Sequence, residues 1–253
     1  NIINGGIIMT KNITGAPIPL NRLWGGEIKF AANQTQYIPP GIYNRLSTEG
    51  FTRIVTGDIT VAGRLSIDGN SDTVKMGTFR LNGPLAETNE FWSESVLETQ
   101  NISADPLPSY VHWNFKVLFS ASNNQYIPAG VYNRIVVKNG FIKNLTGDVR
   151  VFGSVELAGA VIALNEHNLT LFSLSDFTPS SFPYSSLNMI RTNQTGKLRK
   201  VVFDHSSWYP QFFPVGFISY NPVTLNMSGP FITDTFSVKV TNTIDPPPYN
   251  PNQ

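Results

Sequence analysis

The chain contains no cysteine. That excludes disulfides, thiolate metal centres and cysteine nucleophiles, and it leaves the compartment open, because a large β-protein holds together without bridges. Charge is scarce as well: Asp, Glu, Lys and Arg make up 14% of the 253 residues, against roughly 25% in an ordinary soluble domain. A formal net charge of +1, with the cations scattered, supplies no field to draw in nucleic acid or an anionic membrane. Long apolar runs are missing too. The best stretch, residues 149–164, is broken by Arg150 and Glu156, short of the roughly 18 residues of a membrane helix. The three histidines, His112, His167 and His205, lack any ligand spacing such as H-x-x-x-H and read as surface or turn residues. No Gly-x-Ser-x-Gly elbow, phosphate loop or dinucleotide fingerprint occurs, so nucleophilic hydrolysis and nucleotide chemistry have no support, and neither a cofactor nor a metal is expected.

What the chain does have is Asn, Thr, Ser, Gly and Pro in quantity, a balance that suits an exported β-rich protein, and a repeat. The run from Gln36 through Tyr37, Ile38, Pro39, Pro40, Gly41, Ile42, Tyr43 and Asn44 to Arg45 returns as Gln125 through Tyr126, Ile127, Pro128, Ala129, Gly130, Val131, Tyr132 and Asn133 to Arg134. Trp24 matches Trp113, Phe30 matches Phe119, and Gly50 and Phe51 match Gly140 and Phe141, so the duplicated unit covers 24–69 and 113–159. Repeated units of this kind announce a stacked architecture.

Within the unit the glycines have their own period. Gly57, Gly63 and Gly69 are six apart, and so are Gly147, Gly153 and Gly159. Between them apolar and polar residues alternate. Ile59, Val61, Leu65 and Ile67 share one face with each other, as do Val149, Val151, Val155, Leu157 and Val161, while Asp58, Thr60, Arg64, Ser66, Asp148, Arg150, Ser154 and Glu156 take the other. Glycine at each interval permits the bend that starts another flat face. Short strands joined by such bends wind a β-solenoid, parallel β-helix-like, each coil stacking its apolar positions on the next. The competing arrangement is two tandem β-sandwiches, for which Asn82-Gly83 and Asn139-Gly140 would supply hairpin turns.

The expected organisation is a duplicated solenoid over 1–175, a C-terminal β module over 176–245 and a Pro-rich extended tail over 246–253. Residues 1–19 read as one or two short strands, the first of which either pairs within its own domain or adds to a neighbouring subunit. Residues 87–98, rich in glutamate, suggest a short helix or a looped excursion. A first residue that is Asn1 and not Met fits a cleaved leader.

Residues 126–133 and 145–153, with the later segments 195–198, 213–216 and 220–225, resemble repeat regions of large secreted surface proteins of Bacteroidota, over most of 24–245. That resemblance implies an adhesin-like or structural protein associated with type IX secretion, although the C-terminal sorting domain of such proteins is not recognisable here. It also makes Asp72-Thr73-Val74 similar to their short O-glycosylation signal, with Thr73 as acceptor.

The sequence thus predicts a non-enzymatic extracellular structural protein, a subunit or segment of a cell-surface filament, fibre or adhesin, whose partners are copies of itself. A carbohydrate-binding surface module is the alternative, because Trp92, Trp208 and Tyr209 fall in expected loops where aromatic rings can stack on surface glycans. A polysaccharide lyase or hydrolase comes third. Its candidate acids, Asp58 and Asp148, with Arg64 or Arg150 beside them, each follow a glycine in the same repeated turn, where local hydrogen bonding to backbone N–H groups accounts for an aspartate.

Overall fold

The computed structural model describes residues 5–69, 72–88, 94–172, 176–178, 182–202, 210–226 and 233–242. Every helix or strand among them is a strand. Parallel strands stack into a β-solenoid of about eight turns, as the alternation and the glycine period predict.

One turn of the first copy explains the rest. Ile59–Asp68 is a single strand in two arms: residues 59–61 pair with 41–43, residues 64–68 pair with 45–49, and the register shifts between them. The chain turns a corner at that shift. A Cβ on Gly63 would lie 2.8 Å from the Asn44 carbonyl oxygen, and one on Gly153 would lie 2.6 Å from that of Asn133, so only glycine lets successive turns pass this closely. At the next corner Gly69 and Gly159 have φ of +131° and +75°, in the left-handed region that favours glycine. The third corner packs Gly57 on Pro40 and Gly147 on Ala129. The six-residue period is therefore the outline of a three-cornered coil, one hexad to each face. Two hexads share one bent strand where separate short strands were expected, because ladder pairing resumes at once beyond Gly63 and Gly153.

The inward positions are those that alternation assigns. Ile59, Val61, Leu65 and Ile67, and Val149, Val151, Val155, Leu157 and Val161, are all buried, and one apolar cluster runs from Ile18 to Val215 through both copies. Each fully buried side chain of this size contributes roughly 1.5–3 kcal/mol. The tandem sandwiches are not formed. Asn139 and Gly140, both at φ +73°, make a corner between Gly130–Lys138 and Ile142–Leu145, and each of these pairs in parallel with the turns beside it.

The two copies are not in rotational phase. In the first copy the leading arm, the trailing arm and the short strand of each turn define three faces. Short strands Gln36–Ile38, Arg53–Val55 and Thr73–Lys75 stack on the third face, and Val96–Thr99 follows them there. The next strand on that face is residues 116–119, the trailing arm of Val111–Phe119 in the second copy. On the second face the sequence passes from Arg64 to Glu87 and on to His112, whose carbonyl accepts from the Thr88 hydroxyl at 2.6 Å. That puts the second copy's leading arm where the first copy has its trailing arm. The whole second unit is advanced by one face.

Parallel pairing continues beyond Leu169–Phe172. Leu198–Val202 pairs with Leu169–Phe172, Ile190–Arg191 with Val161–Ala163, and Val215–Gly216 with Ile190–Arg191. The segment expected as a separate β module thus shares the solenoid's sheets, and the pairing sets no boundary at residue 175. The hexads fade in the sequence because the coils lengthen: Gly130 pairs with Val149, 19 residues on, whereas Leu169 pairs with Leu198, 29 residues on. Among the described residues antiparallel strand pairs appear only at this end, between Gln211–Phe213 and Val223–Leu225 and between Leu198–Val202 and Asp234–Val238. Of the glutamate-rich segment, residues 89–93 lie outside the described residues, and its end joins the strand Val96–Thr99, where Leu97 and Thr99 turn into the core. The tail 246–253 lies outside the described residues.

A substitution pair tests the corner argument. Gly153→Ala should cost about 1–3 kcal/mol, the usual penalty of overpacking. Gly15→Ala, where a Cβ meets nothing within 4 Å, should stay within about 0.5 kcal/mol of the parent. Urea titration of both variants reads the difference directly.

Candidate functional site

The repeated Gln-Tyr-Ile-Pro-x-Gly-x-Tyr-Asn segment is the strongest sequence signal, and the structure gives its glutamine and its second tyrosine the same partners in both copies. Gln36 and Gln125 are fully buried. The Gln36 amide nitrogen donates to the carbonyls of Thr10 and Asn12 at 3.1 and 2.8 Å, and its oxygen accepts from the Ala32 backbone N–H at 3.2 Å. Gln125 repeats this with Thr99 and Asn101 at 3.0 and 3.1 Å and with Ala121 at 3.2 Å. Each glutamine clamps its own corner to the corner of the preceding turn. The Tyr43 and Tyr132 hydroxyls donate to the carbonyls of Pro39 and Pro128, at 2.6 and 2.8 Å, and burial raises both phenols above their ordinary range. Neither copy presents a reactive group to solvent here.

Sequence reasoning missed a second pair. Arg53 and Lys143 stand at the same place in the two copies, 90 residues apart, and both are fully buried. Arg53 donates to the carbonyls of Phe30, Ala32, Gln34, Thr52 and Glu49. Lys143 donates to those of Ala121 and Asn123, at 2.8 and 3.4 Å. A cation projecting inward satisfies loop carbonyls that would otherwise be buried without partners. The available clue was a basic residue at an otherwise inward position of both copies. Burial lowers both groups, taking the Lys143 ammonium down to about 8, while Asp72 and Glu49 partly offset the effect at Arg53.

The candidate acids are not brought together. Asp58 accepts from the Arg80 backbone N–H at 2.9 Å, and Asp148 accepts from that of Asn168 at 2.8 Å. Each ties its corner to the following turn, and the one-face advance places the two on different corners of the coil. His112 is exposed on the outward side of Val111–Phe119, and local desolvation lowers its imidazole. His205 lies outside the described residues, as do Trp92, Trp208 and Tyr209. Thr73 opens the strand Thr73–Lys75 on the third face, half-buried beside the buried Asp72. Burial raises the Asp72 carboxyl despite its hydrogen bond from the Gly50 backbone and the nearby Arg53.

Outward side chains gather on the second face of the first copy. Glu27, Arg45, Ser47, Arg64, Ser66 and Asp68 line a shallow cleft of about 170 Å³. Glu27, Arg45 and Arg64 stand in one column across three turns. Ser47 donates to Glu27 at 2.6 Å, Ser66 donates to Asp68 at 2.8 Å, and Lys29 pairs with Glu49 at 2.6 Å. The ion pair raises Lys29 and lowers Glu49. The cleft mixes both signs, and several of its groups are engaged with one another. In the second copy the same positions carry Lys116, Arg134, Val136, Ser154, Glu156 and Ala158, so core and corners repeat where the outer face does not. Among the described residues no group of three or more His, Asp or Glu is placed to hold a metal ion.

No protein-family model, curated protein or solved structure matches the chain.

The buried lysine makes a pH prediction. Its folded pKa of about 8 lies below the ordinary 10.5, so between these values the unfolded chain binds the proton more firmly and stability rises with pH. Thermal melts of the parent should show this rise between pH 8 and 10, on the order of 2–3 kcal/mol, and Lys143→Met should lack it. Above pH 10 the raised tyrosines, Tyr43, Tyr132 and Tyr220, act in the opposite sense, since the unfolded chain then loses phenolic protons first.

Proposed function

We propose that the chain is a non-enzymatic structural protein of the cell exterior, a stiff β-solenoid segment of a surface fibre or adhesin. The observation that carries this reading is the shared core and the parallel pairing between successive turns. One apolar cluster joins both copies, and parallel pairing links each turn to the next from Ile7–Thr10 to Val215–Gly216. At about 4.8 Å per turn, eight turns give a body of about 40 Å along its axis. Such a body resists bending because bending must open backbone pairs on one face while compressing the core against another. The two copies share their interior and corners and differ in outward residues, as expected of a scaffold whose surface is free to vary.

Immunogold labelling of intact cells of the source organism, together with negative-stain images of the native material, tests the role. Label at the cell exterior on elongated structures is the expected result. Label confined to the cell interior would overturn it.

A further inference from the structure

Among the described residues the strand Ile7–Thr10 is the outermost strand of its sheet and pairs only with Leu23–Phe30. Its carbonyls at Gly6 and Thr10 accept from Glu27 and Ala31, at 2.9 and 3.0 Å. Along a parallel strand the backbone groups of alternate residues point to opposite sides. Those of Ile7 and Met9 therefore point to the free edge, where no strand pairs with them among the described residues. Exposed apolar side chains gather at the same end of the solenoid: Ile7 is 65% exposed, Met9 55% and Leu23 69%. The strand carries no charge and no proline, the two devices that commonly blunt an exposed edge.

We propose that this edge pairs with the same edge of a second copy, antiparallel across a twofold axis, with Ile8 opposite Ile8 and Ile7 opposite Met9. Three observations select that occupant and register. The outward backbone groups of Ile7 and Met9 meet as hydrogen-bonded pairs only when Ile8 lies on the axis, which gives four new bonds. The same register keeps Ile8, which packs against the core, on the inner side and brings the four exposed Ile7 and Met9 side chains together. It also sets Lys11 of each chain opposite Gly5 of the other, so the two lysines stand about 20 Å apart and do not repel at contact range. The far end of the solenoid, in a separate sheet, already has this geometry. The second face, which starts at Ile7–Thr10, ends with the antiparallel strand Asp234–Val238 on Leu198–Val202, and the partner's strand supplies the matching cover at the open end. A twofold contact is isologous and self-complementary, the commonest symmetry of soluble oligomers.

The absence of cysteine makes the register directly readable. Opposed residues in antiparallel strands lie about 4.5–5.5 Å apart, within disulfide range. In the 253-residue chain, Ile8→Cys alone should form a covalent dimer under mild oxidation. Met9→Cys alone should not, but mixed with Ile7→Cys it should. Met9→Pro removes only a donor that faces the free edge, and by light scattering it should shift the parent from dimer to monomer with the melting transition retained. A parent that stays monomeric at its highest soluble concentration, or an Ile8→Cys variant that fails to cross-link while the parent is dimeric, overturns the proposal. This pairing is compatible with the surface role but separable from it. A monomer would remove the dimer and leave the cell-surface labelling to decide the role.

Discussion

A solenoid has to bring its backbone round three corners in every turn, and at each corner carbonyl groups swing toward an apolar interior. The rest of this structure depends on how those carbonyls are satisfied. Gln36 and Gln125 join consecutive corners by three bonds each, Tyr43 and Tyr132 reach back four residues to a proline carbonyl, and Arg53 and Lys143 collect the carbonyls that remain. A buried polar group without a partner costs roughly 1–3 kcal/mol, so losing several at each of many stacked corners would exceed the net stability of an ordinary domain, about 5–15 kcal/mol. The buried cations are therefore part of the scaffold, although side chains of that kind more often mark a reactive site.

Much of this was legible in the residues. Alternation around Ile59 and Val149 gave the inward face correctly, and the glycines at 57, 63 and 69 marked the corners, because both features arise from short-range geometry. The bent double-length strand was not legible. A glycine that ends a strand and one that bends it leave the same mark in a six-residue pattern, and only the neighbouring turn, through the Asn44 or Asn133 carbonyl, distinguishes them. The coils after Phe172 were obscured for another reason. Parallel pairing tolerates an excursion of any length between rungs, so Leu198 falls opposite Leu169 with no local periodicity to announce it. For the candidate site, the sequence pointed to Asp58 and Asp148 as repeated turn residues, and both hold turns together. Its one sign that Arg53 and Lys143 are buried was their place at an inward position of both copies, and a cation there is easily read as an outward residue.

Duplication and divergence are separated in space in this molecule. Phe30 and Phe119, Tyr43 and Tyr132, and Ile67 and Leu157 are buried counterparts, whereas Glu27, Ser47 and Arg64 on the exterior correspond to Lys116, Val136 and Ser154. A coil is constrained from within by the coils it touches above and below, and solvent places no comparable demand on its outer face. The second copy could therefore lose the mixed-charge cleft of the first without any effect on stacking.

The one-face advance between the copies bears on valency. With three faces to a turn, corresponding outer positions in the two copies point about a third of a revolution apart. A flat rigid partner that engaged the wall built from 45–49 could not at the same time engage the wall built from 134–138. Duplication here lengthens the body without doubling any single docking face, and a ligand able to use both copies would have to wrap around the axis.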